Sequence, residues 1–557
     1  MTNIGLLKIL FEDSISHTIE LTGSVKHITT ETTDIFVFGN IQHAWYYDGG
    51  ACIKYFNDQQ YSDNFYRNLN GHFSLVIIDK LNNKVRLVAN RSGGFRLYVQ
   101  IHKNQLHISN QLRNFTYHKN KLDSQALSET LDYRWNSGES SLLESILQLP
   151  SSCYWDFIGE KLSNKVCYQY FPLTDQLNTS DNEVKVHEVE QLLTQSLKES
   201  ITQEARVAVL LSGGVDSSVL AALANKFQKN LVAISHRSDD HENPELETSI
   251  QFARELGIKH EIYTINNCDI LDAFSKTIEI IEQPARYQSS LLLYKLFEHM
   301  AGKFDQIIYG EAADTLFGSS LVKRFHLRQQ KQKKLFSLSK NIPFAKQVIN
   351  LLPNTNKLKA LQNEKYFDYM LSSSQLEYSK LGQKYLDSYR QTSSPISVVN
   401  RLIDIKKVNE FNNDYVAIAS IKSFLMRTDR DNHFHETGAL AAHFNMELLS
   451  PFVDHRVINY SALLDDKSYY GDDFIKPILR EIGTKYYTSS LMYIKKKGFP
   501  APYESWIKGP LSMLWHDTEQ AFQLPKLLEE DHEFQWTMIC FYQWMKNFDV
   551  SFEELIP

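Results

Sequence analysis

Hydrophobic positions along this chain change their spacing partway through. Up to about residue 175 they fall in short runs, Ile35-Phe36-Val37-Phe38, Phe73-Ser74-Leu75-Val76-Ile77-Ile78 and Val85-Arg86-Leu87-Val88. Runs of this length and composition predict strands, and Asp48-Gly49-Gly50 and Ser92-Gly93-Gly94 predict turns between them. The expected class for this half is an antiparallel β-sandwich. The polar stretch Leu177-Asn178-Thr179-Ser180-Asp181-Asn182 reads as a linker, so the domains are placed at residues 1–178 and 179–557. Beyond it, residues 183–200 form a long amphipathic run that predicts a helix. Val207-Ala208-Val209 then predicts a strand, residues 219–224 a helix, 231–235 a strand and 245–256 a helix. Strands alternating with helices imply a parallel sheet covered on both faces. After about residue 320 the pattern is mostly helical, and no internal repeat is visible.

A chain of 557 residues is too long for one core, which agrees with two domains. The net charge of −7 argues against a nucleic-acid partner. No apolar run reaches membrane-spanning length, and Met1-Thr2-Asn3-Ile4-Gly5 lacks the features of a signal peptide. A cytoplasmic protein without a membrane partner is therefore expected. Five cysteines (52, 153, 167, 268 and 540) include no CxxC pair. They predict neither a zinc site nor a disulfide framework, and read as buried free thiols in a reducing compartment. The basic residues between 323 and 340 read first as a solvated helical face and second as a docking surface for an acidic peptide.

The chemistry begins at Leu210-Leu211-Ser212-Gly213-Gly214-Val215-Asp216-Ser217-Ser218. A strand, a Ser/Gly turn and a helix N-terminus make an anion cradle, because glycine lets backbone N–H groups approach phosphate and the helix end is partly positive. Ser212, Ser217 and Ser218 supply hydroxyls, and Asp216 supplies a hard oxygen for Mg²⁺. The Walker loop is excluded, since no Lys follows the second glycine. A second strand-to-turn, Ile307-Ile308-Tyr309-Gly310-Glu311-Ala312-Ala313-Asp314-Thr315-Leu316-Phe317-Gly318, carries two carboxylates. Their spacing of three places Glu311 and Asp314 on one side of a helical turn. Glu447-Leu448-Leu449-Ser450-Pro451-Phe452 and Ile494-Lys495-Lys496-Lys497-Gly498-Phe499-Pro500 follow, and Lys496 is a candidate cation for charge developing on phosphate.

The order of these motifs resembles the class B asparagine synthetase family. Its pattern is a glutaminase-type, Ntn-hydrolase-like N-terminal domain joined to a pyrophosphate-loop ATPase domain. Leu69-Asn70-Gly71-His72-Phe73 is similar to the family's LnGxFa, and residues 310–318 to its GEGADELFGG. The resemblance implies ATP and Mg²⁺ as cofactors. It implies pyrophosphate contacts from Ser212, Gly213, Gly214, Asp216, Ser217 and Ser218, and an adenine and ribose frame from Leu210, Ile234 and Gly310. Asp216 and Asp314 are implied metal ligands, Glu311 and Lys496 implied catalytic residues, and Glu245 falls on a family acidic position.

The departures bear on substrate. The family's glutaminases use an N-terminal cysteine thiol, and here position 2 is Thr. Phe38-Gly39-Asn40-Ile41 also departs from the glutamine-pocket signature, so the N-terminal domain is expected to be inactive. Leu449 stands where the family's ExRxPF has arginine, and Ala312, Thr315 and Ser319 replace glycine, glutamate and glycine. These departures resemble the lasso peptide cyclase and β-lactam synthetase branch, in which the amine belongs to the substrate. The expected activity is an AMP-forming amide ligase, most simply closing a macrolactam in a ribosomal peptide. A leader-peptide protease and a recognition protein are implied partners. An asparagine synthetase using free ammonia and a non-catalytic nucleotide binder are the alternatives.

Overall fold

Three sheets carry the described residues. The structure is a computed structural model and describes residues 5–13, 16–23, 25–42, 63–91, 93–116, 121–136, 138–167, 177–239, 243–319, 432–471, 473–495, 501–525 and 531–551, with single positions 172, 323, 382, 384, 386, 422, 426 and 528. Asp48-Gly49-Gly50, Ser92, Cys52, Lys496 and all of the basic run except Lys323 lie outside the described residues.

The strands of the first half are β1 (Gly5–Asp13), β2 (Ser16–Gly23), β3 (Lys26–Thr29), β4 (Thr33–Ile41), β5 (Gly71–Asp79), β6 (Lys84–Ala89), β7 (Tyr98–His102), β8 (Gln105–Ser109), β9 (Leu147–Gln148), β10 (Cys153–Ile158) and β11 (Lys161–Cys167). They form two antiparallel sheets, ordered β2-β1-β8-β7-β9 and β11-β10-β6-β5-β4-β3. Alternation decides which side each residue takes. Phe36 and Phe38 of β4, with Val76 and Ile78 of β5, meet Leu7, Ile9, Val99 and Ile108 of the other sheet in one core. Ile35, Val37, Leu75 and Ile77 face the opposite way, under Phe65 and Tyr66 of the helix Asp63–Asn68. The expected antiparallel sandwich is present.

Cys153 and Cys167 correct the expectation of free thiols throughout. They sit opposite each other in the β10–β11 pairing, with Cα atoms 4.1 Å apart, and form a disulfide. A sequence separation of 14 residues gives no hint of this, because strand register sets the pairing. Cys540 is a buried free thiol, whereas Cys268 is exposed.

The second half contains β12 (Val207–Leu210), β13 (Val232–Ser238), β14 (Lys259–Ile265), β15 (Gln306–Ile308) and β16 (Glu447–Leu449). All pairings are parallel, in the order β14-β13-β12-β15-β16. Val207 and Val209 of β12 enter one apolar core and Ala208 and Leu210 the other, as a strand covered on both faces requires. Helices Asn182–Ser200, Val215–Asn225, Leu246–Leu256, Ile270–Ile281 and Ser289–Met300 supply those covers. From β12 the chain winds out through β13 to β14, and returns to β12's other side with β15. That reversal opens a crevice at the carboxyl ends of β12 and β15, where ligands bind in open α/β sheets. No helix among the described residues is long and apolar enough to cross a membrane.

Candidate active site

Both motifs singled out in the sequence lie at this reversal. The turn after β12 runs into the helix Val215–Asn225, whose N-cap is Gly214 and which has no side-chain cap hydrogen bond. Gly213 has φ +86°, and a Cβ there would lie 2.3 Å from the carbonyl oxygen of Glu245. Glycine is therefore required for the loop to close against the 245 segment. The serines wind the loop: Ser212 Oγ accepts from Gly214 N at 3.2 Å and lies 3.1 Å from Ser217 Oγ, which accepts from Ser212 N at 3.2 Å. Ser218 is fully buried and donates its hydroxyl to the Val215 carbonyl at 2.8 Å, within its own helix. Leu210 pairs with Ile234 in register, and both are buried. Gly310, just past β15, comes close enough that a Cβ would lie 3.3 Å from Ser217 N.

Asp216 and Asp314 converge on one cation that the sequence did not reveal. Lys476 Nζ lies 2.5 Å from Asp216 Oδ2 and 2.5 Å from Asp314 Oδ1, so the two oxygens are at most 5.0 Å apart. The lysine is 3% exposed and has φ +60°, immediately before the helix Pro477–Gly483. Beside it, Arg480 is buried with its guanidinium 5.1 Å from the Phe474 ring. A cavity of about 230 Å³ opens here, lined by Gly213, Asp216, Glu245, Lys476, Arg480 and Lys495 among others.

Glu311 and Asp314 do not share one side of a helical turn, which corrects the spacing argument. The helix Ala313–Phe317 starts only after Ala312, whose φ of +68° redirects the chain between the two acids. Asp314 goes to Lys476, and Glu311 goes the other way. Its carboxylate contacts His433 Nδ1 and accepts from Thr437 Oγ1 at 3.3 Å. His433 and Thr437 sit one turn apart on the helix His433–His443. Burial, aided by the Arg286 charge, pushes the His433 imidazole down to about 4, so it is neutral at pH 7. Its ring packs edge-on against Tyr287, centroids 4.7 Å apart.

This chemistry fits a magnesium nucleotide. A glycine turn admits no side chain, an uncapped helix end presents N–H groups, and two buried cations flank the cavity. Two carboxylate ligands, with phosphate oxygens completing the shell, is the usual way proteins hold Mg²⁺. Among the described residues no cluster of three His, Cys, Asp or Glu side chains could hold a metal alone. Lys476, His433 and Thr437 escaped the sequence reading because each meets its partner across more than a hundred residues.

The profile of the asparagine synthase family matches residues 188–532, and that of a glutamine amidotransferase domain matches residues 53–171. The chain belongs to the asparagine synthase family, a family of ATP-dependent ligases and amidotransferases. It is 20% identical over 524 residues to asparagine synthetase [glutamine-hydrolyzing] 1 of Bacillus subtilis, covering 87% of this chain and 79% of that protein. A putative asparagine synthetase of Mycobacterium bovis is 18% identical over 451 residues, covering 76% of this chain and 67% of the relative. Among solved structures, an NH3-dependent NAD synthetase from Campylobacter jejuni has a TM-score of 0.21 and 16% identity, covering 45% of this chain and 96% of that one. That superposition is too loose to carry an argument.

Proposed function

We propose that the chain adenylates a side-chain carboxylate and couples it to an amine of the same peptide, closing a lasso-type macrolactam. The observation that carries this reading is how the Asn70-Gly71-His72 segment spends its side chains. Asn70 Nδ2 donates to Asp454 Oδ2 at 2.8 Å, and its Oδ1 accepts from His455 N at 3.0 Å. His72 Nε2 lies 3.3 Å from Ser450 Oγ, and its ring fills the space beside Gly94, where a Cβ would lie 2.3 Å from Nδ1. A segment bound into the synthetase half in this way is poorly placed to receive glutamine. The amine then arrives with the substrate rather than as ammonia released from glutamine.

In this reading the carboxylate oxygen bonds to the α-phosphorus and pyrophosphate leaves. Ser212, Gly213, Gly214 and Ser217 cradle the departing phosphates, while Lys476 and Arg480 offset their charge. Asp216 and Asp314 would hold Mg²⁺, which would supply Lewis-acid relief of charge on the phosphates. Lys496 is proposed to join these cations, and Leu210, Ile234 and Gly310 to frame the adenosine. Leu449 is fully buried in the apolar core rather than offering a cation to a small charged substrate. This supports a peptide over free aspartate. A precursor peptide, a leader-peptide protease and a recognition protein are the proposed partners.

Incubation with ATP, Mg²⁺ and a candidate precursor peptide tests the reading. A peptide product lighter by one water, with AMP and pyrophosphate in equal amounts, is expected. Amide formation from aspartate and ammonium alone would instead support the asparagine synthetase alternative.

A further inference from the structure

Glu311, His433 and Thr437 form a layered arrangement that the adenylation chemistry above leaves unused. The carboxylate is the inner member, with a side-chain exposure of 5%, and Thr437 is fully buried behind it. The imidazole is the outer member, with 19% exposure. With Glu311 ionised, its carboxylate only accepts hydrogen bonds, and His433 Nδ1 is then the ring nitrogen that carries the proton facing it. A neutral imidazole has one ring proton, which leaves Nε2 with a lone pair. Among the described residues no group hydrogen-bonds that nitrogen.

We propose that His433 Nε2 is the base that takes the proton from the attacking amine, with Glu311 fixing its tautomer and direction and Thr437 holding Glu311. This rests on the ligase reading above. Position supports it: Glu311 directly follows Gly310, whose backbone abuts the N-terminus of the loop helix beside Ser217. The dyad therefore stands at the crevice between β12 and β15. His433 also begins the helix His433–His443, whose partly positive N-terminus favours the neutral ring. The charged groups facing it are Glu311 and Arg286, with Tyr287 edge-on to the ring and Tyr309 tilted against it. In the step itself the amine nitrogen bonds to the acyl carbon. The bond from that carbon to the AMP oxygen breaks and leaves its electron pair on AMP. The amine proton passes to Nε2. A nucleophile, a base and a third group that orients the base is a recurrent arrangement for such transfers.

Two measurements on the full chain test this. The first needs no substrate: diethyl pyrocarbonate, which acylates neutral imidazole, is applied at pH 6.5 and the modified histidines are mapped by mass spectrometry. His433 is expected to react in the folded protein, and to be protected at least fivefold by Mg·ATP. A His433 that reacts only after denaturation overturns the proposal. The second compares the two half-reactions in His433→Gln. Pyrophosphate exchange is expected within threefold of wild type, while amide formation falls about 10²–10⁴-fold, the usual worth of general-base catalysis. Hydroxylamine, unprotonated at neutral pH, is expected to restore acyl transfer. Equal loss of both half-reactions, or loss of neither, overturns the dyad alone. A wild type inert toward every carboxylate overturns the ligase reading and the dyad with it.

Discussion

Lys476 bridges two acidic side chains by sitting between them. Replacing it with methionine takes the lysine's charge from between Asp216 and Asp314, whose oxygens lie within 5.0 Å of each other. Turnover of Lys476→Met is expected to fall at least ~100-fold, the scale for losing one preorganised charge in such a site. Steady-state AMP release measures it, and a fall of less than tenfold would assign Lys476 a packing role. Gly213→Ala places a Cβ on the Glu245 carbonyl in a left-handed backbone. It is expected to weaken ATP binding at least tenfold in calorimetry while the chain stays folded by circular dichroism. Unchanged binding would mean the loop is not the phosphate cradle. The sequence made Gly213 legible, since loop, strand and helix are local and contiguous. Lys476 and His433 were not legible, because no local spacing tells a lysine or a histidine which distant carboxylate it will meet.

At the level of elements, one acid fastens three helical segments. Glu190, on the helix Asn182–Ser200, accepts from Lys485 at 2.6 Å and Lys226 at 2.9 Å, and also from the Tyr486 hydroxyl. Burial pulls its carboxyl upward, but these donors win and bring it down to about 2. A folded value below the unfolded one stabilises the fold above about pH 4.5, and that stability is lost as pH falls toward 2. Because the group is partly solvated, its worth is about 1 kcal/mol. Glu190→Gln should cost that much at pH 7 and little at pH 2, as read by urea unfolding. An equal cost at both pH values would rule out the ionic contribution. The Cys153–Cys167 bridge closes a short loop between β10 and β11, and peptide mapping without reductant should recover the two joined. Two free thiols there would contradict the pairing. The element types themselves were legible: the period-two runs at residues 35–38 and 73–78 both became strands. Strand register was not, and the bridge depended on it.

Across the whole molecule, the two halves meet through buried and part-buried polar side chains. Gln42 Nε2 donates to the Leu448 carbonyl at 2.6 Å, and Arg91 Nη2 to Asn459 Oδ1 at 2.7 Å, beside the Asn70 and His72 contacts. Burial holds His72 at about 4, as it does His236, and burial with a nearby cation does the same for His433. Unfolded, these rings protonate as pH falls through about 6.5, while the folded protein keeps them neutral until about 4. The unfolded chain then binds more protons, so stability should decline steadily from pH 6.5 to 4 and change little above pH 7.5. Chemical unfolding across that range measures it, and flat stability would mean these rings are solvated. The doubly covered parallel sheet was legible from alternation of strands and helices, but the interface was not, since it joins residues some 380 positions apart.

The most direct test of the account follows an oxygen atom. Carboxyl-¹⁸O-labelled aspartate and peptides bearing Asp or Glu are incubated with the protein, ATP and Mg²⁺, and the nucleotide product is analysed by mass spectrometry. Adenylation predicts one ¹⁸O in AMP for each amide formed, and none with Asp216→Asn. Formation of ADP, or of AMP without the label, would contradict carboxylate attack at the 212–218 loop.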